Sequence, residues 1–189
     1  MTGGDKQKAR AAARARRRAV DPALGPVACG NLVSLLRERP PAILAGYAAI
    51  RDELDPAPAL DALVALGWTI ALPRVRAADL PLEFLRWEPG DPLEEGRDGI
   101  PVPVADRPLT PDIVITPLLA FDGRRYRLGY GGGFYDRTLA RLRATGGVEA
   151  IGIAYARQEA ASLPTDPHDE PLDAIVTEDG VLAPRGAAR

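Results

Sequence analysis

The chain has 189 residues, 46% of them hydrophobic and 26% charged, with a formal net charge of −2. That is enough for one domain with a buried core, and the bulk charge gives no reason to expect nucleic acid. One histidine, one cysteine (Cys29) and two serines (Ser34, Ser162) exclude a histidine–cysteine zinc site and an internal disulfide, while a Ser-His-Asp triad would need His168 and a serine outside any nucleophile-elbow pattern. Carboxylate-plus-magnesium chemistry stays open, because it needs only one or two aspartates and substrate phosphates. No apolar run approaches a membrane span and no signal-peptide segment is seen, so no membrane partner is expected. A lone cysteine fits a reducing cytoplasm.

In chain order, Lys6 to Arg18 is rich in alanine and arginine and predicts a helix. Lys6, Arg10, Arg14 and Arg17 or Arg18 form a basic stripe at spacings of three and four. Three readings stand: a solvated face or frayed end, a nucleic-acid contact, or cations delivered to a phosphate site elsewhere. Asp21-Pro22 predicts a capped helix start, running to about Arg39 with Val27, Leu32, Leu35 and Leu36 inward. Ile43 to Ile50 reads as a buried strand, and Glu53 follows at its C-terminal end, where open α/β sheets bind ligands. A loop carboxylate without a role is the alternative for Glu53. Pro58 to Leu66 predicts a helix closed by Gly67. Trp68 to Val75, interrupted at Pro73, and Leu82 to Trp87 predict strands. Glu88 to Asp98 reads as acidic loop, and Gly99 to Pro103 as a proline-stiffened segment.

Asp112 to Ala120 is the central-strand candidate, its apolar residues unbroken by alternation and its pairing ended early by Pro117. Ala150 to Ala156 and Ala174 to Val176 are further strands, with Gln158 to Leu163 helical between them. Pro164 to Asp173 carries Asp166, Asp169, Glu170 and Asp173, which plain solvation would explain. Alternating strands and helices with short connections predict an α/β fold with a largely parallel sheet, and no linker divides the chain.

The most informative stretch is Leu128 to Arg137, preceded by Arg124, Arg125 and Arg127. Four glycines within five residues (129, 131, 132 and 133) open the backbone N–H groups to a ligand. A helix beginning at about Phe134 would aim its N-terminal dipole at the same place. A simple tight turn needs fewer glycines, so anion or nucleotide binding is the stronger reading. No Lys-Ser/Thr pair follows, so this is not a Walker A loop; Phe134 occupies the third glycine position of the dinucleotide fingerprint; and no kinase signature accompanies it. On the following helix Tyr135, Leu139 and Leu142 share a face, which by periodicity alone would put Tyr135 in the core.

This stretch resembles the signature of the 5-formyltetrahydrofolate cyclo-ligase family, Leu-Gly-x-Gly-x-Gly-aromatic-Tyr-Asp, matched without a gap by Leu128 to Asp136. The similarity extends, in order, through Lys6 and Arg10, Asp52 to Asp55, Pro117 to Asp122, and Gln158 to Thr177. The resemblance implies a three-layer fold similar to the NagB/RpiA/CoA-transferase type over residues 1–189, with residues 1–18 as its basic helix. It also implies ATP- and Mg2+-dependent closure of 5-formyltetrahydrofolate to 5,10-methenyltetrahydrofolate by a cytoplasmic monomer or weak dimer. Lys6, Arg127 and Tyr135 would be catalytic. ATP would be held by Lys6, Arg10, Arg127, Gly129, Tyr130, Gly131, Gly132, Gly133, Phe134 and Tyr135, folate by Arg10, Glu53 and Tyr135, and magnesium by Asp136 and Asp169. One departure is Val102, where many relatives carry Glu or Gln between two prolines; a non-catalytic folate- or nucleotide-binding relative is the alternative it raises.

Overall fold

The structure, a computed structural model, describes residues 3–183; the few terminal positions of the expected 1–189 unit beyond them lie outside the described residues. Helix α1 spans Gly3–Arg18 and α2 Gly25–Leu36. A 3-10 turn at Pro22–Leu24 leads into α2, with the Asp21 carboxylate accepting the Ala23 N–H at 3.0 Å. Strand β1 (Ile43–Ala45), helix α3 (Ala57–Ala65), strand β2 (Thr69–Arg74) and strand β3 (Glu83–Arg86) follow. Then come β4 (Leu93–Glu95), β5 (Pro101–Pro103), β6 (Pro108–Leu109), β7 (Ile113–Thr116), β8 (Ala120–Asp122) and β9 (Arg127–Leu128). Helix α4 (Phe134–Thr145), β10 (Glu149–Ile153), β11 (Glu159–Ala160), β12 (Ala174–Thr177) and β13 (Gly180–Leu182) complete the described chain.

The main sheet has the order β13-β12-β10-β7-β1-β2-β3-β6. Its five central strands, β12 to β2, are parallel, and the outer pairings are antiparallel. Residue alternation sorts the central strands between two cores. Ile113, Ile115, Ile151, Ile153 and Val176 meet α2 and α3 through Leu32, Leu36, Leu60 and Leu63. Val114, Ala150 and Ile175 meet Leu139 and Leu142 of α4 on the other face. Helices on both faces explain why β7 reads as a continuous apolar run: all four of its residues are buried. A small second sheet, β11-β8-β9, carries Ala120 and Leu128, against which Ala9 and Ala13 of α1 pack.

Several expectations need correction. Val27 is half exposed, because α2 turns Ala28, Cys29 and Leu32 inward instead. The strand expected to Ile50 ends at Ala45, and the rest forms a loop beyond the C-terminal end of this central strand. Pro73 does not interrupt β2. Its missing N–H faces the β1 side, where pairing has already stopped at Ala45–Ala71, and it pairs with Phe84 on the other side. The acidic loop contains β4, which forms a hairpin with β5. The expected helix from Gln158 to Leu163 is absent: a 3-10 turn at Ala156–Gln158 ends there, the Gln158 amide oxygen accepts the Tyr155 N–H and its NH2 donates to the Leu118 and Leu119 carbonyls, and β11 then pairs with β8. No single helix among the described residues is long and apolar enough to cross a membrane.

Candidate active site

Because β2 lies on one side of β1 and β7 on the other, the chain leaves these neighbouring strands in opposite directions, opening a crevice at their C-terminal ends. A cleft of about 350 Å³ occupies that position. Tyr47, Ile50 and Glu53 enter it from the loop after β1, Pro117 from the end of β7, and Pro73 and Val75 from the end of β2. The glycine loop, the first turn of α4, α1 and the acidic loop close the remaining sides.

The loop from Gly129 to Gly133 joins β9 directly to α4, whose N-terminus therefore faces the cleft. Gly131 (φ 111°) and Gly133 (φ 66°) adopt backbone conformations that other residues rarely take. Arg137 fixes the loop by donating to the Gly132 and Ala78 carbonyls, both at 2.8 Å, while lying over the Phe134 ring. Arg127, with a side chain only 4% exposed, donates to Asp136 Oδ1 and to the Glu170 carbonyl, each at 3.0 Å. The Glu170 N–H donates to the same Asp136 oxygen.

From α1, Lys6 Nζ sits 2.6 Å from Asp166 and 2.7 Å from Asp169. Burial opposes its charge, but hydrogen bonds to the two aspartates outweigh that and hold its pKa above the ordinary value. Arg10 Nε donates to the Gly129 carbonyl at 3.0 Å, and its guanidinium lies where a side chain on Gly131 would be crowded. The basic stripe is therefore turned toward the body of the protein, which overturns the solvated-face reading for Lys6, Arg10 and Arg17. The acidic loop is likewise paired: Asp166 and Asp169 meet Lys6, while Glu170 and Asp173 meet Arg143.

On the opposite wall, Glu53 Oε2 accepts the Ile50 N–H at 3.0 Å. Burial pushes its carboxyl up, against the Ile50 N–H, Arg17 and Tyr130, which favour the charged form. Tyr135 is packed on the α4-side core as periodicity predicts, yet it also lines the cleft, 5.8 Å from the Arg127 guanidinium. Burial raises its hydroxyl pKa strongly, with Glu53 adding in the same direction.

Thus Lys6, Arg10, Glu53, Arg127, Gly129, Tyr130, Gly131, Gly132, Gly133, Phe134, Tyr135, Asp136 and Asp169 all border one cleft. Asp166 and the wall of Tyr47, Val75, Leu82 and Ile100 were not singled out from sequence. Asp166 is one acid among four in its loop, and the wall residues resemble ordinary core. Val102 is buried against Gly96 and is absent from the cleft lining, although Ile100 is present. Among the described residues no three His, Cys, Asp or Glu side chains form a ready metal cage. Asp136 and Asp169 each engage donors through one oxygen only. That donor set fits magnesium, which takes one or two carboxylates and completes its shell with phosphate and water.

Fold and cleft together define a doubly covered α/β protein with a cleft at the switch point of its parallel sheet. The profile of the 5-formyltetrahydrofolate cyclo-ligase family matches residues 5–178. The chain is 34% identical over 174 residues to the 5-formyltetrahydrofolate cyclo-ligase of Escherichia coli K12, covering 87% of this chain and 95% of that one. It is 32% identical to that of Mycolicibacterium smegmatis, over 74% and 75% of the two chains. The NMR structure of Aquifex aeolicus 5,10-methenyltetrahydrofolate synthetase superposes with a TM-score of 0.77 at 28% identity, covering 97% of this chain and 95% of that one. The Mycoplasma pneumoniae synthetase gives 0.75 at 26% identity, over 92% and 99%. The chain belongs to the 5-formyltetrahydrofolate cyclo-ligase family, and it is an enzyme of that family.

Proposed function

We propose that this enzyme converts 5-formyltetrahydrofolate and ATP into 5,10-methenyltetrahydrofolate, ADP and phosphate. The observation that carries the reading is that the thirteen expected site residues, drawn from four separate stretches of the chain (6–10, 53, 127–136 and 169), border one cleft. In the proposed reaction the formyl oxygen attacks the γ-phosphorus and ADP leaves. N10 then adds to the activated carbon, losing its proton, and phosphate departs as the ring closes. Such a transfer needs positioning and charge neutralisation more than a protein nucleophile, which suits a chain with few serine, cysteine and histidine side chains.

The glycine-loop N–H groups, the α4 N-terminus, Lys6, Arg10 and Arg127 would hold the triphosphate. Asp136 and Asp169 would hold magnesium, which supplies charge neutralisation at the phosphates. Glu53 would accept hydrogen bonds from the pterin edge, and Tyr135 would contact the folate beside Arg127. The same reading takes residues 1–189 as one cyclo-ligase domain of the NagB/RpiA/CoA-transferase type, a cytoplasmic monomer or weak dimer. With Val102 away from the cleft lining, no observation favours a non-catalytic relative. The test is the near-ultraviolet absorbance of the methenyl product on mixing enzyme, magnesium, ATP and 5-formyltetrahydrofolate. Tight folate binding without ATP-dependent product would overturn the proposal.

A further inference from the structure

Arg17 lies on the inner face of α1, one turn beyond the fully buried Ala13, and is itself 3% exposed. Its guanidinium reaches three separate parts of the chain. Nη2 donates to Asp52 Oδ1 at 2.8 Å and to the Tyr130 hydroxyl at 2.6 Å; Nε donates to Asp52 Oδ2 at 3.3 Å, and Nη1 to the Leu118 carbonyl at 3.3 Å. Arg17 does not border the main cleft, but each partner adjoins a residue that does or is one itself: Asp52 precedes Glu53, Leu118 follows Pro117, and Tyr130 lines it directly. Desolvating a guanidinium is costly, and an apolar side chain would anchor a helix as well. What an apolar side chain lacks is a planar fork that fixes a carboxylate and a hydroxyl at one spacing.

We propose that Arg17 is a positioning residue, holding Glu53 (through Asp52) and Tyr130 in register on one wall of the cleft, a wall that faces folate, so that Tyr130 serves the folate side rather than the ATP site that the resemblance implied. The proposal rests on the cyclo-ligase reading for its substrate. Burial pushes the Glu53 and Tyr130 pKa values up, and the Arg17 charge opposes both shifts, so all three groups share one electrostatic neighbourhood. The Tyr130 ring is also 5.7 Å from each of the Arg14, Arg17 and Arg51 guanidinium carbons, so the tyrosine is held by its face as well as its hydroxyl.

The test measures kcat, both KM values and the melting temperature for Arg17→Met, Arg17→Lys and Asp52→Asn. In Arg17→Met the folate KM should rise about 10- to 100-fold, the scale on which small misplacements act, while the ATP KM changes far less. Arg17→Lys should recover part of the loss, since an ammonium can serve one partner but not the fork. A lowered melting temperature with an unchanged folate KM, or equal rises in both KM values, would overturn the proposal. If Arg17→Met does not fold, Asp52→Asn decides by the same folate-against-ATP comparison. Absence of product from the wild type would instead refute the cyclo-ligase reading. Hydrogen exchange then tests the positioning role alone: segments 50–54 and 128–133 should both exchange faster in Asp52→Asn while α2 does not, and unchanged exchange would overturn it.

Discussion

Lys6 is already satisfied by two aspartates, so in the proposed reaction ATP would draw it away from Asp166 and Asp169 or share it with them. Lys6→Ala should raise the ATP KM by about 10- to 100-fold, the value of a charge-assisted hydrogen bond, and the folate KM much less; steady-state kinetics with each substrate varied would reveal equal changes if this is wrong. Asp136→Asn keeps an oxygen for Arg127 but loses the carboxylate charge. Its magnesium-dependent turnover should fall by more than the roughly 10- to 100-fold typical of losing an outer-shell partner, and wild-type rates across a magnesium titration would remove Asp136 from the site. Glu53 has a folded-state pKa raised by burial. Its contribution to stability is therefore complete below the unfolded value and is lost as pH rises through the folded value. Glu53→Gln should accordingly melt higher than wild type at pH 7, with the gap closing toward pH 4, while its folate KM rises; circular-dichroism melts at the two pH values check the sign. Among single residues, those embedded in a colinear motif were legible in the sequence. Tyr47 was hidden inside what read as a strand, and the burial of Arg17 could not be seen because its neighbours Arg16 and Arg18 are exposed.

The glycine loop and α4 act as one element, yet their glycines have different physical reasons to be glycine. Gly133 is the N-cap of α4 with φ 66°, so Gly133→Ala carries about 1–2 kcal/mol of left-handed strain and should lower the melting temperature by roughly 2–8 °C. Gly129 has no positive φ and open space around an added Cβ. Gly129→Ala should therefore melt within about 2 °C of wild type but raise the ATP KM, because only a ligand approaching the backbone would meet the methyl group. A large loss of stability in Gly129→Ala, or an unchanged ATP KM, would contradict this. The start of α4 and the buried β7 were legible, because local pattern and tertiary role agree there. The helix expected from Gln158 to Leu163 does not continue past Gln158, because its amide bonds to carbonyls at Leu118 and Leu119, about forty residues away in sequence. The short, partly exposed β13 has too little apolar pattern to announce itself.

Across the whole molecule, α1 is attached in an unusual way. Besides the apolar Ala9 and Ala13, four cations reach inward from it: Lys6, Arg10, Arg14 and Arg17 meet aspartates, two carbonyls and a tyrosine ring. Raising salt from 0.1 to 1 M shortens the screening length from about 10 to about 3 Å, so α1 amides should exchange severalfold faster in 1 M salt while the apolar-packed α2 changes little. Equal responses of the two helices would show that α1 is not held by charge. The basic stripe was legible as a pattern, but its inward orientation could be seen only in the fold, since the acids it meets lie far along the chain. That distance also governs how the protein is born. Lys6 and Asp169 are 163 positions apart, so at about 5–20 residues per second a ribosome needs roughly 8–30 s between them. Throughout that interval Lys6 lacks its acidic partners, while those of Arg10 and Arg17 are made before it ends, and a chain interrupted before the acidic loop would keep most of its parallel sheet while lacking one wall of its own cleft.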